Sequence, residues 1–313
     1  MTAQIIGQTP ILPSSTATLA VDSHNTLGEG VLWCERSHRL FWTDIHEQRL
    51  HSLHPQTGLQ HEWQLPERLA CFAFTHDEHV LLLGLASKLA WFDLRTKTIT
   101  PICDVESDLP TTRLNDGRCD RQGRFVFGTL DESNNRQAIA SFYRLNPDLT
   151  LERLPLPHIA IANSICFSPD GDSMYFCDSL SHRIHRWDGY LTASTSAPAM
   201  ISLFAELPST AAPDGATIDA DGYLWSAQWG GSQVVRYAPD GHTDHIFTLP
   251  VTQPSCVCLG GGVLTTLYIT TAQESLSEFE LAAQPLAGGL FHASTGSIHG
   301  LPEIRFAGSH HAR

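Results

Sequence analysis

The chain has 313 residues, a formal net charge of −14 and 42% hydrophobic residues. This length fits one or two domains with a large core, and the negative charge argues against a nucleic-acid partner. No apolar run of about 18 residues predicts a membrane span, and the N-terminus lacks the basic flank and apolar block of a signal peptide. We therefore expect a cytoplasmic protein, monomeric or a small homo-oligomer, without membrane association.

The eight cysteines form no CxxC pair. A structural zinc site needs closely paired ligands, so this spacing argues against one. Buried free thiols in a reducing compartment are the expected state of these residues.

Short apolar strands and turns recur along the chain from residue 27 onward. Six of these strands read, in chain order, "LFWTDI", "VLLLGL", "FVFGTL", "MYFCDS", "LWSAQW" and "LYITTA". Turns such as "SPDGDS" and "DADG" precede them, and Asp-Gly between apolar runs is a strong hairpin signal. A third strand follows in each unit ("RLHSL" in the first, "RIHRW" in the fourth) and a fourth in most, such as "QHEWQLP" and "DHIFTLP".

Six four-stranded units of this period predict an all-β fold, a six-bladed β-propeller with antiparallel blades. The early segment "PILPSSTATLAVD" is expected to add a strand to the last blade, which closes the ring and covers an exposed edge. We therefore predict a single domain over residues 1–313, with loose termini at about 1–14 and 303–313.

Polar residues recur where the first strand of each unit begins. The aligned positions are Glu29, Ala70, Asn115, Asn163, Asp214 and Ser255. First strands line the channel of a propeller, so these side chains are expected to form a ring at one mouth. Each residue alone is an ordinary turn former. Converging carboxylates repel one another unless a cation lies between them, so the pattern fits either turns or a divalent-metal site.

The ordered motifs resemble the senescence-marker-protein/gluconolactonase/regucalcin family. They are "LGEGVLW", "FWTDI", "RLNDGRCDRQGRFVFGT", "IANSICFSPDGDSMYFCDS", "PDGATIDADGYLWSAQWGGSQVVRYAPDG" and "PLAGGLF", and they cover nearly the whole chain. The resemblance implies a six-bladed propeller, in agreement with the repeat count. It also implies one divalent cation (Ca, Zn, Mn, Mg or Fe), held by residues that match Glu29, Asn163 and Asp214.

The same resemblance implies that Arg113 and Asn115 hold a substrate, with Asp116 bracing their loop. Some family members place a further substrate-contacting Glu after the "GT" that ends the next strand. Here the segment reads "GTLDESNNRQ": Glu132 is the predicted contact, Asp131 is an alternative, and strict register places Ser133 there.

The resemblance implies a metal-dependent hydrolase that opens a sugar lactone to the aldonic acid, with Asp214 as the base that activates water. Few cations besides Arg113 can be placed near the axis, which favours a small neutral lactone, although loops could bring His46 or Arg136 inward. Trp229 in "AQWGG" fits either blade packing or the channel mouth. Two alternatives stay open: a non-enzymatic calcium-binding or interaction propeller, and a related propeller esterase or phosphotriesterase.

Overall fold

The computed structural model describes residues 14–192 and 199–310. Its strands form six sheets, each built on four antiparallel strands as in a propeller blade, and one sheet carries a fifth, parallel strand. Blade 1 comprises β3 (Gly28–Cys34), β4 (Arg39–Asp44), β5 (Arg49–His54) and β6 (Leu59–Gln64). Blade 2 comprises β7 (Leu69–Phe74), β8 (Val80–Leu85), β9 (Lys88–Asp93) and β10 (Ile99–Asp104). Blade 3 comprises β11 (Thr112–Cys119), β12 (Phe125–Asp131), β13 (Phe142–Leu145) and β14 (Leu151–Arg153).

The second half of the ring repeats this arrangement. Blade 4 comprises β15 (Ala162–Phe167), β16 (Ser173–Asp178), β17 (Arg183–Asp188) and β18 (Met200–Glu206). Blade 5 comprises β19 (Ala212–Ile218), β20 (Leu224–Trp229), β21 (Gln233–Tyr237) and β22 (Thr243–Thr248). Blade 6 comprises β23 (Pro254–Gly260), β24 (Thr266–Thr271) and β25 (Leu290–Ser294), completed by β2 (Thr18–Val21). The predicted six-bladed propeller is confirmed.

Burial falls from the inner strands to the rim of each blade. In blade 2 every residue of β7 and β8 is buried, because neighbouring blades cover both faces of these strands. The outer strand β6 of blade 1 is almost entirely exposed. The predicted Asp-Gly turns are present, with Gly171 at a φ of 80° and Gly222 at 83°, a region that glycine enters without strain.

The N-terminal segment closes the ring across two blades. As predicted, β2 pairs with β25 and becomes the outer strand of blade 6. In addition, β1 (Ser14–Thr16) runs parallel to β22, so the same segment also covers the edge of blade 5. Ala17, between the two strands, is buried against Trp225 and Phe291. This segment therefore joins blades 5 and 6. The repeat pattern of the sequence, which describes one blade at a time, does not predict this link.

The C-terminal segment crosses the end of the channel where the inner strands finish. Phe306 is fully buried, and its backbone N–H donates to Phe74 at the end of β7. Glu303 forms an ion pair with Arg118, and the N–H of Ala307 donates to the Gly123 carbonyl. Residues 303–310 are thus packed against the ring, not loose as the sequence predicts, because their apolar side chains add to the core.

At the other terminus Ser14, predicted from the sequence to lie in a loose segment at about 1–14, belongs to β1. Residues 1–13 and 311–313 lie outside the described residues. Within residues 14–192 and 199–310 the helices are few: α1 (Glu278–Ala283) and two 3₁₀ turns, Ser179–Ser181 and Tyr190–Thr192. Among the described residues, no helix has the length and apolar character needed to cross a membrane.

Candidate active site

All six inner strands break their ladder register at the same ring position. The breaks lie at Glu29/Leu32, Leu69/Cys71, Leu114/Gly117, Asn163/Cys166, Pro213/Ala216 and Pro254/Cys256. A bulge of this kind bends a strand and redirects the side chain next to it. In blades 1 and 4 the following residues, Gly30 and Ser164, have φ values of 59° and 60°. The bulges therefore present the aligned polar residues together at one mouth of the channel.

Two carboxylates at the ends of second strands fix the chain just before the ring residues. Asp44 accepts hydrogen bonds from the N–H groups of Thr26 and Leu27, at 2.8 and 3.1 Å. Asp178 accepts from Ala160 and Ile161 in the equivalent place, at 2.9 and 3.2 Å. The sequence motifs "FWTD" and "YFCD" carry this signal, since each Asp ends a second strand. In these two blades, 1 and 4, the residue two positions after the second N–H donor is a predicted metal ligand.

Five of the residues proposed from the sequence line one cavity of about 270 Å³ at this mouth: Glu29, Arg113, Asn115, Asn163 and Asp214. Asn115 Nδ2 donates to Asn163 Oδ1 at 3.2 Å, and Asn163 Nδ2 donates to Ser179 Oγ at 2.9 Å. These bonds orient the Asn163 amide, leaving its oxygen with a second lone pair for another partner. Ser164 Oγ donates to the Asp214 carbonyl at 2.7 Å and ties blade 4 to blade 5 below the cavity.

The carboxylates at the mouth are buried close to one another. Burial, followed by the charge of Asp116, raises the pKa of Glu29 from its usual 4.5 to about 8. Burial and the neighbouring Glu29 raise the pKa of Asp214 well above its usual value. Asp116 itself is anchored below the ring, where its carboxylate accepts from the N–H groups of Gly117 and Ile165 at 2.8 Å each. After burial, the charges of Glu29 and Asp116 oppose ionisation of Asp214, a setting that a cation would relieve.

The donor chemistry fits a hard divalent cation. Glu29 and Asp214 supply carboxylate oxygens and Asn163 supplies an amide oxygen, which are the ligand types that such cations prefer. Among residues 14–192 and 199–310, no cluster of three or more His, Cys, Asp or Glu side chains suits a metal ion. A metal at this mouth would therefore depend on the Asn163 amide as its third protein ligand.

Glu132 lies behind Arg113 and is not among the residues that line the cavity. Arg113 Nε donates to Glu132 Oε1 at 3.2 Å, and Arg113 Nη1 donates to Asn115 Oδ1 at 2.8 Å. Arg68 holds the same carboxylate through two bonds, at 2.6 and 2.7 Å. Although partial burial opposes it, these two arginines lower the pKa of Glu132. The substrate contact predicted for Glu132 stays a prediction, and the observed geometry braces Arg113.

Asp131, the alternative to Glu132, is fully buried, and its carboxylate accepts from the Gln137 N–H and Ser133 Oγ. The two other ring positions bring no free polar group to the cavity. Ala70 is apolar and buried, and the Ser255 hydroxyl donates to the Gly28 carbonyl.

The remaining wall combines apolar and charged groups. Trp229 lines the cavity and packs against Leu27, Ile45 and Ala272, so it serves both of the roles considered for it. Arg136 and Glu274 also line the cavity. Glu274 carries no repeat signal, because it lies in a loop, and sequence reasoning missed it.

The fold and the residues at this mouth define a propeller with a polar, carboxylate-lined cavity. Comparison of the chain with known proteins identifies its family. Residues 27–273 match the model of the SMP-30/gluconolactonase/LRE-like region. The chain belongs to this family, as its motifs indicate.

Three relatives illustrate the similarity. The chain is 51% identical to an L-arabinolactonase of Azospirillum brasilense over 302 residues, covering 96% of this chain and 98% of that protein. It is 33% identical to a 6-deoxy-6-sulfogluconolactonase of Pseudomonas putida, over 94% of this chain and all of that protein (100%). Among solved structures, a calcium-binding protein, regucalcin, from Agrobacterium tumefaciens aligns with a TM-score of 0.86 at 28% identity, covering 95% and 99%.

Proposed function

We propose that this protein is a metal-dependent lactonase that hydrolyses a small, neutral aldonolactone to the open-chain aldonic acid. The observation that carries the proposal is the convergence of Glu29, Asn163 and Asp214 on the cavity that Arg113 and Asn115 also line. Membership of a lactonase family and 51% identity to an L-arabinolactonase support the reaction class and point to a pentonolactone.

The size of the cavity favours a small substrate. Its volume of about 270 Å³ lies just below the usual range of ligand sites, roughly 300 to 1,000 Å³. Trp229 supplies an apolar face, and the Arg113 and Asn115 side chains supply donors and acceptors for ring hydroxyls. A site that hydrogen-bonds hydroxyls discriminates strongly against substrates that lack them, because its buried polar groups are then left unpaired.

The residues would divide the chemistry as follows. Glu29, Asn163 and Asp214 would hold the cation, which when bound supplies Lewis acidity towards the lactone carbonyl. Asp214 accepts a proton as a water oxygen bonds to the carbonyl carbon, since its carboxylate lines the cavity that the lactone would occupy. The ring C–O bond then breaks, and the leaving oxygen takes the proton back from Asp214. One lactone and one water give one aldonic acid.

A second candidate is a calcium-binding protein without catalysis, since the aligned regucalcin structure is described as a calcium-binding protein. A pH-indicator assay separates the two. It compares the lactones of arabinose, xylose, galactose and glucose with an aryl ester and a phosphotriester, using chelator-treated protein with and without added Ca, Zn, Mn, Mg or Fe. We expect metal-dependent acid release from the lactones. Calcium binding without turnover of any lactone favours the second candidate, and faster turnover of the aryl ester or phosphotriester favours an esterase or phosphotriesterase.

A further inference from the structure

The sixth blade contributes to the cavity from a loop, and not from its ring position. Its ring residue, Ser255, uses its hydroxyl to bind the Gly28 carbonyl and the Thr270 side chain. Glu274, three residues after β24, lines the cavity in its place. Blade 6 lies between the blades that carry Glu29 and Asp214, so a third carboxylate reaches the cavity on the side of these two residues.

Glu274 is held in place by contacts on its backbone and on its side chain. Its N–H donates to the Thr26 carbonyl at 2.9 Å, and its carbonyl accepts from Gln253 Nε2 at 2.9 Å. His46 Nε2 lies 3.0 Å from Glu274 Oε1. These contacts reach three different segments and occupy one carboxylate oxygen, so the other oxygen is available to accept a hydrogen bond from a ligand.

The charges around Glu274 keep its carboxylate ionised. The hydrogen bond with His46 lowers the pKa of Glu274 against the effect of partial burial, and the charges of Arg113 and Arg136 add to the decrease. In turn the charge of Glu274 contributes to the raised pKa of Asp214, so the two carboxylates sense each other through the cavity. A negative group on the substrate in this space would meet the same repulsion.

We propose that Glu274 is a specificity-determining residue, which accepts a hydrogen bond from a substrate hydroxyl and disfavours lactones that carry a free carboxylate. His46 is the positioning residue that orients the Glu274 carboxylate. Within the described residues, Glu274 forms no metal-binding cluster of three His, Cys, Asp or Glu side chains, so we assign its carboxylate to the substrate. This inference rests on the proposed function and names the group that selects among its substrates.

The test is Glu274→Gln, which keeps the shape and an acceptor oxygen but removes the charge. On a neutral aldonolactone we expect KM to rise about threefold with little change in kcat, because the amide is a weaker acceptor than a carboxylate. On the matching aldarolactone, which carries a free acid, kcat/KM should rise about tenfold as the repulsion is removed. The ratio of the two efficiencies is the quantity measured, since a general loss of folded protein does not change it.

Two further variants complete the experiment. Glu278→Gln removes the same charge from the exposed helix α1, outside the cavity, and should leave the ratio unchanged. His46→Gln should shift the ratio in the same direction as Glu274→Gln, by a smaller factor. An unchanged ratio in Glu274→Gln, with wild type hydrolysing lactones, overturns the role of Glu274 alone. Wild type without lactonase activity removes the proposed function as well.

Calorimetric titration with Ca²⁺ and Mn²⁺ gives a readout that does not depend on activity. Glu274→Gln should bind either cation within about threefold of wild type, since two carboxylates and an amide remain as the ligand set. A loss of a hundredfold or more in cation affinity would identify Glu274 as a metal ligand and overturn the specificity role.

Discussion

The two carboxylates at the channel mouth are similar in burial and in how the backbone holds them. Glu29 Oε2 already accepts a hydrogen bond from the Gly30 N–H at 2.9 Å, which ties its carboxylate to the bulge. Asp214 is positioned through its backbone, since Ser164 Oγ donates to its carbonyl. The Gly215 backbone also holds the Asp214 carboxylate, as Gly30 holds that of Glu29. The proposed base for an attacking water is Asp214, which lines the cavity.

This assignment predicts the behaviour of Asp214→Asn. Asparagine fits the same space and keeps an oxygen for the cation, but it cannot accept the proton, so kcat should fall at least about 10²-fold. Steady-state kinetics with saturating metal measures the loss. The control is Asp221→Asn, a change of the same kind at an exposed turn of the same blade, which should leave kcat unchanged. Near-wild-type kcat in Asp214→Asn with metal bound would remove the base role.

Arg68 acts on the site through Glu132. Its two hydrogen bonds fix the carboxylate that receives Arg113 Nε, while Arg113 Nη1 donates to Leu114 and Asn115. In Arg68→Met we expect KM for the lactone to rise about fivefold, about 1 kcal/mol of lost positioning, with kcat nearly constant. Arg183→Met breaks an exposed Arg183–Glu206 pair and serves as the control. A fall in kcat with constant KM would contradict a positioning role.

The sequence predicts the ring residues at the channel mouth, but it does not predict the side chains that hold the site residues in position. Glu29, Asn115, Asn163 and Asp214 share a repeat position, so alignment of the units predicts that they meet. Arg68 lies two residues before the ring position of blade 2, as Arg113 does in blade 3, but it is 64 residues from Glu132, so only the packing of the two blades brings these side chains together. Glu274 was missed because its loop belongs to one blade alone.

At the scale of the element, the strands and turns follow from the sequence but the bulges do not. The apolar runs and Asp-Gly turns predict where β16 and β20 lie, since local preference and burial agree there. The register break at each inner strand depends on how neighbouring blades crowd the channel, which is a long-range effect. The C-terminal segment shows the same limit, since its three apolar residues are too few to predict packing from pattern alone.

That segment makes a measurable contribution to stability. Phe306 is fully buried against the core of blades 2 and 3, with its ring 5.7 Å from that of Trp91. Phe306→Ala should lower the free energy of unfolding by about 3–5 kcal/mol, as expected for a large aromatic lost from a packed site. Urea denaturation followed by tryptophan fluorescence measures the change. Leu59→Ala, at a side chain that is 54% exposed, should change stability by less than about 0.5 kcal/mol. Equal effects would mean that residues 303–310 are not packed in solution.

At the scale of the whole molecule, the ring is closed by different means at its edge and at its centre. The N-terminal strands join blades 5 and 6 at the outside, and the C-terminal segment covers the channel end opposite the cavity. At the open mouth, Trp229 packs against Leu27, Ile45 and Ala272. The Asn115–Asn163 and Ser164–Asp214 hydrogen bonds also join blades there, with buried carboxylates opposing them. A cation at this mouth would join blades 1, 4 and 5 at the axis.

The proposed metal should therefore stabilise the fold as well as supply chemistry. A ligand that binds only the folded state at a hundredfold excess over its Kd adds about 2.7 kcal/mol, which for a domain of this size raises Tm by about 5 °C. Thermal unfolding of chelator-treated protein, with and without added Ca²⁺ or Mn²⁺, measures this shift without any substrate. Glu29→Gln should reduce the shift, because the cation loses a charged ligand, whereas Glu278→Gln on the exposed helix should keep it. An equal rise in Glu29→Gln and wild type would mean that the cation binds elsewhere, and no rise in wild type would mean that this mouth holds no metal.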